Sequence, residues 1–453
     1  MAHITSKTFK SCRPVTYRQH QWIAKANDGK TGSALTLEAL KARLQAQQEK
    51  AKEMQLEKER MKEESYKVGI KPLRSMQKLT TSCDPSNGVY LFDDNSPESM
   101  MKILEGTNPA LIDRTDWEVI QVSGEDTISF LNGLSTNNIE QLRPGEWMDT
   151  VFTTRSGRII DLVKAIRTKD ASVLLLVSPD LGPKLIEILN KYVIMQSVKI
   201  SSLSNDFCTF TILRNHIGEE NVTVKLLSEI FGEPITSNKC GIYQWSRDKV
   251  EDGGKTLPGA ILIKNSTGLS LPGETILVPV SMCSHIWETF SSIENIITLG
   301  KGGWEILRIL QGRPAHPMEL NERYNPMEAQ LWQSLSFDKG CYVGQETIAR
   351  LKTYKGVKQL LWSIDFDEIP PNFNRETGST IYSTSGEKIG LLCSLADVSQ
   401  INRGLGYIRT RSKVDGKHPV AGTAVVVEGV VGRLKNTAMQ KELGSTPEWM
   451  FEI

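Results

Sequence analysis

The sequence predicts an α+β protein that ends in a small β-barrel domain. From about Val89 onward, short apolar runs alternate with Gly, Pro, Asn and Asp, which is typical of a globular body. Strand-like and helix-like runs follow one another in mixed order, which favours α+β over an alternating βαβ arrangement. After Trp362 only strands and turns are predicted, and this is the layout of a small β-barrel.

The first element is a basic leader, residues 1–34. It is rich in hydroxyl side chains and holds one acidic residue, Asp28. This composition is typical of an organellar transit peptide, and the lack of a short apolar core argues against secretion. An ordinary unstructured N-terminus is the alternative. The lack of an obvious Arg-rich amphipathic helix favours a chloroplast over a mitochondrion.

Residues 35–86 are predicted to form a charged helix and a linker. Residues 35–66 are dense in Glu, Lys, Gln and Arg, while Gln47 and Lys58 interrupt the apolar positions of one heptad frame. The pattern predicts a single solvated helix or a weak coiled coil. Weak self-association or docking of a partner through this helix follows as a hypothesis.

The body is predicted to span residues 87–360, and the barrel with its tail residues 361–453. The strands predicted for the body are Trp117–Val122, Ile159–Ile166, Val173–Val177 and Cys208–Leu213, and its helices are Asp126–Leu134 and Leu181–Tyr192. The strands predicted for the barrel are Gly378–Tyr382, Lys388–Leu392, Leu405–Arg409 and Thr423–Val427.

Composition excludes several classes of function. The net charge of +1 provides no long-range field for a polyanion, so nucleic acid is not expected as the main ligand. The seven cysteines are widely scattered and the six histidines stand singly, so no metal site is predicted and reduced thiols are expected. No apolar run approaches the roughly 18 residues of a membrane span.

The segment Lys339–Glu346, with the sequence KGCYVGQE, indicates a functional site. A cysteine among two glycines and several polar or aromatic side chains is poorly suited to hydrophobic packing. The preceding Asn325–Trp332 has helical spacing after a turn-forming Asn-Pro pair, and Thr347–Leu351 is a second helical run. The segment is therefore predicted to lie in a loop that leads into a helix, and loops often carry chemistry.

Cys341 is the first candidate for a catalytic residue. A thiol becomes a nucleophile as its thiolate, and Lys339 two residues away could lower the pKa of Cys341 electrostatically. The alternative is a buried cysteine that packs as a small apolar residue.

KGCYVGQE resembles the signature of the YgfZ-type folate-binding proteins, which are relatives of the aminomethyltransferase of the glycine cleavage system. The resemblance covers roughly residues 87–432, and the stretch 325–362 is similar to the plant plastid branch. It implies a folate-binding body in two lobes, a C-terminal β-barrel, a central opening and tetrahydrofolate as the cofactor.

Within the motif, Tyr342, Gln345 and Glu346 supply a π-face, an amide and a carboxylate. These are the groups needed to stack on a pterin ring and to hydrogen-bond to it, as the resemblance implies. The alternative is a tight turn whose polar groups bond to their own backbone.

Asp161 is the second catalytic candidate. The segment from Gly157 to Leu162 resembles the GG-apolar-apolar-DD segment in which aminomethyltransferases hold the folate amine with a carboxylate, but only one acid is kept. If the catalytic acid is the second of the pair, Leu162 replaces it here. The alternative is a solvated charge at a strand edge.

Four further ligand-binding residues are implied by the resemblance. Arg308 resembles the arginine that binds the glutamate tail of folate, and a guanidinium suits bidentate carboxylate recognition. The alternative is an arginine on a helix surface. Asn137, Glu274 and Glu328 are weaker correspondences.

The leading hypothesis is a tetrahydrofolate-binding accessory protein for iron-sulfur cluster assembly or repair, whose partners would be assembly factors or client enzymes. One alternative is a folate-dependent transferase that moves an aminomethyl or other one-carbon group through Asp161 and Arg308. The other is a non-catalytic interaction protein that uses residues 35–66.

Overall fold

The computed structural model describes most of the body and the barrel. The described ranges are 96–169, 171–215, 259–370, 378–398, 401–414 and 418–436, with short pieces or single positions at 73, 83–84, 91–92, 225, 227, 242–244, 251–252, 255–256, 373 and 416. All of them lie in the second of two units into which the chain divides, residues 64–453. The predicted transit peptide and the predicted helix 35–66 lie outside the described residues.

The described helices are short. They are α1 Pro97–Glu105, α2 Thr127–Leu134, α3 Gly182–Asn190, α4 Cys283–Ser291, α5 Lys301–Gln311 and α6 Gln345–Thr353. The Ser96 hydroxyl caps α1 by accepting from the Ser99 amide, and Gly106 ends it in the left-handed conformation. Three 3-10 turns lie at Ile139–Gln141, Val280–Met282 and Trp332–Ser334.

The described strands form two sheets, one barrel and two small hairpins. In chain order they are β1 Cys83–Asp84, β2 Leu91–Phe92, β3 Ala110–Asp113, β4 Glu118–Ser123, β5 Trp147–Thr153, β6 Ile159–Lys169, β7 Ser172–Val177, β8 Lys199–Ser202, β9 Phe207–Leu213, β10 Ile242–Gln244, β11 Glu251–Asp252, β12 Lys255–Thr256, β13 Ile261–Lys264, β14 Gly273–Pro279, β15 Ile297–Leu299, β16 Gln359–Phe366, β17 Thr380–Ser383, β18 Lys388–Val398, β19 Ile401–Arg409, β20 Ala424–Val427 and β21 Val430–Lys435.

Two sheets build the body. The antiparallel sheet has the strand order β5-β6-β7-β4-β8, and the mixed sheet has the order β10-β13-β14-β9-β3-β15, in which only the β15–β3 pair is parallel. An apolar core from both sheets includes Val119, Leu174, Leu213 and Ile263, with Leu307 of α5 packed into it. The outer faces are covered by α2 and α3 on the first sheet and by α4 on the second.

The C-terminal strands close into a barrel with the order β16-β19-β18-β17-β20-β21. Its interior holds Ile364, Ile381 and Val425, and Tyr342 of the motif packs against the same cluster. Closure pairs β16 with both β19 and β21, so no strand edge is left open. The predicted fold class, an α+β body with a C-terminal β-barrel, is confirmed.

The strands and helices predicted for the body are confirmed to within three residues at each end. The prediction of a helix over Asn325–Trp332 is wrong. A single turn follows Asn325, whose side chain accepts from the amides of Met327 and Glu328, and the chain then reaches Gln330 with a positive φ of 58°. An αL residue interrupts the run of helical hydrogen bonds, which explains why no α-helix continues there. Strand β16, whose first residues precede Trp362, was not predicted.

Candidate functional site

The motif segment, residues 339–346, forms a loop followed by the first turn of α6. Gly344 caps that helix in the left-handed conformation, with φ 85°. The loop lies against the end of α2, where the amide of Val343 donates to the carbonyl of Gly133. The predicted loop and helix are therefore confirmed, with the helix starting at Gln345.

Lys339 anchors this loop. Its ammonium donates to the carbonyls of Asn132, Ser135 and Asn137 at 2.6, 2.8 and 2.6 Å. The last carbonyls of a helix lack intrahelical partners, so a cation at the end of α2 satisfies them. Burial lowers the pKa of Lys339 to about 8.

Cys341 is exposed, whereas Cys208, Cys283 and Cys393, the other free cysteines of the described residues, are buried. The alternative of a buried apolar cysteine is therefore wrong for this position. The predicted electrostatic influence of Lys339 on Cys341 stays a prediction, and the Lys339 ammonium donates to three backbone carbonyls. No hydrogen bond between the two side chains occurs in the described part of the chain.

The other motif side chains point in different directions. Tyr342 is 8% exposed, its ring packs with the barrel core, and burial raises its pKa to about 12. Glu346 is exposed and pairs with Arg350 one turn along α6. Gln345 is half-buried, and its side-chain amide makes no hydrogen bond to a described residue, whereas its backbone amide donates to the carbonyl of Tyr342. These three side chains do not converge on one ligand, so their binding roles stay predictions.

Two glycines hold the motif segment against the turn between β5 and β6. A Cβ on Gly344 would lie 2.6 Å from the Thr153 hydroxyl and 2.7 Å from the Thr154 carbonyl. Gly157, with φ 69°, faces the Gly344 carbonyl in the same contact. The Thr153 hydroxyl also donates to the carbonyl of Val343 at 2.7 Å. Only residues without a side chain allow this approach.

Asp161 lies on β6 and is fully buried. Its two carboxylate oxygens accept from the amide and the hydroxyl of Ser178, at 2.9 and 2.7 Å. Burial raises the pKa of Asp161 to about 6, against the lowering effect of these bonds. The alternative of a solvated charge at a strand edge is wrong.

A cluster of charged and indole side chains lies inside the body, close to Asp161. We call it the charged cluster, and its members are Arg114, Asp149, Lys164, Arg313, Trp117, Trp147 and Trp304. The Arg114 guanidinium lies 3.8 Å from the Trp117 ring centre and 3.7 Å from that of Trp304. Cations over indole rings are attracted by the negative ring face.

Asp149 and Lys164 face each other across β5 and β6, with 2.8 Å between Oδ1 and Nζ, and Lys164 also lies 3.5 Å from the Trp147 ring centre. Burial lowers the pKa of Lys164 to about 8. Burial would raise the pKa of Asp149, but the charges of Lys164, Arg313 and Arg114 outweigh it and lower that pKa. Asp149 is thus the acidic partner of Lys164, and it shares Arg114 with Asp116 and Arg313 with Asp161.

The cluster was not predicted as a site. One signal was available, because Lys164, like Asp161, lies among apolar residues in the run predicted as β6, and a buried charge requires a partner. The partner on β5 and the loop that brings in Arg114 are remote along the chain.

Glu274 adjoins the same region. It is 1% exposed on β14, opposite Lys264 of β13, and its Oε1 lies 3.3 Å from the Arg214 Nε. The carbonyl of Lys264 accepts from the Trp147 indole at 2.8 Å. Burial raises the pKa of Glu274 to about 7. Through its strand neighbour Lys264, Glu274 therefore lies beside Trp147 of the charged cluster.

Arg308 is 1% exposed on α5, so the alternative of a helix-surface arginine is wrong. Its guanidinium donates to the Glu319 carboxylate, to the Arg313 carbonyl, to the Ser394 hydroxyl and, through two nitrogens, to Glu305. All five N–H donors are thus used within the protein. A ligand carboxylate would have to replace Glu305, whose side chain is 47% exposed.

The side chains of Asn137 and Glu328 form hydrogen bonds between different segments of the fold. The Asn137 amide donates to the carbonyls of Asp149 and Gln333. Glu328 is buried, accepts from the Asn325 amide and the Gln359 side chain, and has a pKa raised by burial. Their predicted roles in ligand binding stay predictions, because their polar groups already bond to the protein.

Metal-binding clusters and membrane-spanning helices were considered for the described residues alone. No group of three or more His, Cys, Asp or Glu side chains there is arranged to hold a metal ion. Among the helices of the same ranges, none combines the length and the apolarity that a membrane crossing requires.

The fold defines the class of protein. The aminomethyltransferase T of the glycine cleavage system from Bartonella henselae superposes with a TM-score of 0.65 over 81% of this chain and 96% of that structure, at 15% identity. The architecture is therefore aminomethyltransferase-like. A family model, the GCVT N-terminal domain, matches residues 106–213, which carry β3 to β9 and Asp161.

Full-length relatives agree with this class. The Arabidopsis thaliana protein named "Putative transferase At1g60990, chloroplastic" is 34% identical over 358 residues, which are 78% of this chain and 77% of the relative. An aminomethyltransferase of Chloroherpeton thalassium is 22% identical over 73% of this chain and 86% of its own length. The chain belongs to the GCVT N-terminal domain family.

Proposed function

We propose that this protein binds tetrahydrofolate and serves as an accessory protein in the assembly or repair of iron-sulfur clusters in the chloroplast, as a YgfZ-type member of its family. The observation that carries the proposal is the exposure of Cys341 on a loop whose neighbours are anchored. Lys339 and Tyr342 hold the loop from both sides, so the thiol is presented to solvent by a fixed backbone.

The folate part of the proposal rests on the charged cluster. Indole rings can stack on a pterin, and buried guanidinium and ammonium groups can bind the carboxylates of a glutamate tail. Asp161 and Glu274 border the cluster and carry pKa values raised to about 6 and about 7, so either could hydrogen-bond to a pterin in its neutral form. The chloroplast location is supported by the name of the Arabidopsis relative and by the basic leader.

The test is the activity of a panel of iron-sulfur enzymes in cells that lack the protein. Rescue is attempted with the intact chain, with Cys341→Ala and with Gly340→Ala. Gly340 is a matched control, because a methyl group there meets nothing within 4 Å and its φ is not positive. We expect the intact chain and Gly340→Ala to restore activity and Cys341→Ala to fail.

Full rescue by Cys341→Ala would contradict a role for the thiol. Normal enzyme activity in the unrescued cells would contradict the iron-sulfur function as a whole. A separate titration with tetrahydrofolate, followed by tryptophan fluorescence, tests the folate part. Saturable binding is expected, and its absence would favour the non-catalytic interaction protein.

A second candidate function is transfer of a one-carbon group to tetrahydrofolate. The observation in its favour is Asp161, a buried carboxyl whose raised pKa is suited to proton transfer near neutral pH. Formation of methylene-tetrahydrofolate from a carrier-bound aminomethyl group would support it, and Asp161→Asn should abolish that product. Aminomethyltransferases have a second acidic residue directly after the first, and Leu162 at that position in this chain argues against the transferase function.

A further inference from the structure

A cavity of about 600 Å³ lies between the body and the barrel, and it is separate from both regions described above. Its wall comes from the start of β6, from the loop 316–324 and from β18. None of its lining residues belongs to the motif segment or to the charged cluster. Pockets that bind small molecules commonly have volumes of about 300 to 1,000 Å³.

The wall and the mouth of the cavity differ in chemistry. Ile160, Tyr324, Leu391 and Leu392 supply an apolar wall. Tyr324 is held in place because its ring stacks on Tyr407 with 3.6 Å between the ring centres. An apolar surface backed by packed side chains is suited to a flat ring or a short chain.

Three charged residues line the cavity, namely Lys184, Glu322 and Arg323. Lys184 pairs with Glu322 at 3.1 Å, so these two charges offset each other. Arg323 is exposed, and no ion pair of its guanidinium occurs among the described residues. A single anionic group on the ligand would complement this mouth.

His316 adds an imidazole ring whose protonated nitrogen can be assigned. Its Nδ1 lies 3.0 Å from the carbonyl of Leu320, and a carbonyl can only accept, so Nδ1 carries the proton. Burial lowers the pKa of His316, which favours the neutral ring. The remaining Nε2 is then a hydrogen-bond acceptor on the cavity wall.

We propose that this cavity is a second small-molecule site, whose ligand has an apolar ring or chain, one anionic group near Arg323 and a hydrogen-bond donor that faces His316. The site is independent of the proposed function, because its residues are distinct from those assigned to folate and from Cys341.

Anilinonaphthalene sulfonate, which combines aromatic rings with one anionic group, is the probe for the test. It is titrated into the full chain and into Leu391→Trp, Arg323→Glu and Arg433→Glu, with native mass spectrometry to give the stoichiometry. Leu391→Trp places a larger side chain at a cavity-lining position outside the buried apolar clusters, and Arg433→Glu makes the same charge change at an exposed residue that does not line the cavity.

We expect one saturable site in the intact chain and in Arg433→Glu. Leu391→Trp should abolish binding at this site, and Arg323→Glu should weaken it at least about fivefold because an attraction becomes a repulsion. Equal binding by all four proteins, or no saturable binding by the intact chain, would overturn the proposal. Displacement of the probe by tetrahydrofolate would show that the cavity is the folate site and would overturn its independence.

Discussion

The motif segment and the charged cluster both hold ionisable side chains, but they use them in opposite ways. In the motif segment, the Lys339 ammonium donates to backbone carbonyls, and Cys341 is exposed to solvent. In the charged cluster, Arg114 and Lys164 lie on indole rings, and the side chains are withdrawn from water. A conspicuous motif can therefore contain the residues that fix a loop, while a cluster of buried charges and indole rings is built from segments without a motif.

The two regions should therefore respond differently to the loss of an acid. We expect Asp149→Asn to lower the free energy of unfolding by about 4 kcal/mol, because buried Lys164 loses its ion-pair partner and Arg114 and Arg313 each lose one of two nearby carboxylates. Asp338→Asn, an exposed acid beside the motif segment, should change it by less than about 0.5 kcal/mol. Urea denaturation of both variants measures the difference, and equal effects would contradict the comparison.

The second test is the pH dependence contributed by Asp161. Its folded pKa of about 6 lies above the unfolded value, so the fold favours the protonated acid. The corresponding stability is present below about pH 4 and is lost as the pH rises through 6. Asp161→Asn should therefore gain up to about 3 kcal/mol relative to the intact chain between pH 4 and pH 7.5.

The Asn side chain can keep bonds to Ser178, since the serine hydroxyl can rotate and accept. Glu346→Gln is the control from the motif segment, because that carboxylate is exposed and no such gain is expected. Unfolding curves at several pH values check this prediction. A pH-independent difference for Asp161→Asn would show that burial does not perturb Asp161.

The smallest expected effect concerns the anchoring of the motif segment. Gly344→Ala should cost about 2 kcal/mol, because φ is 85° and the added Cβ would collide with Thr153 and Thr154. Gly340→Ala, four residues earlier, should cost less than about 0.5 kcal/mol. If the two variants were equally stable, the motif segment would not be held by the turn between β5 and β6.

Much of the fold could be predicted from local patterns. The strand β7 was predicted from a short continuous run of apolar residues, which is buried, and the helix α2 from apolar residues at helical spacing. The prediction of a helix over Asn325–Trp332 was wrong because the same spacing of apolar residues also occurs in a compact turn. The turn forms here because the Asn325 side chain accepts from backbone amides and because Gln330 has a positive φ.

The candidate site was only partly predictable. Cys341 and Asp161 were found because a motif and a family segment mark them, and the structure separates them into an exposed loop and a buried strand. Arg308 illustrates the limit. Its sequence context is that of an amphipathic helix and does not show whether the arginine is free. In the structure its guanidinium donates to Glu305, Glu319 and Ser394. Such pairing depends on residues remote in the chain.

The α+β body, the C-terminal barrel and the loop position of Cys341 could be predicted from local sequence, because they depend on the order of residues within short windows. The neutralisation of buried charges, the exposure of that thiol and the cavity became visible in the folded structure alone. The physical reason is that burial and Coulomb interactions depend on distances between segments, as between Asp149 on β5 and Arg313 after α5, and no local pattern contains those distances.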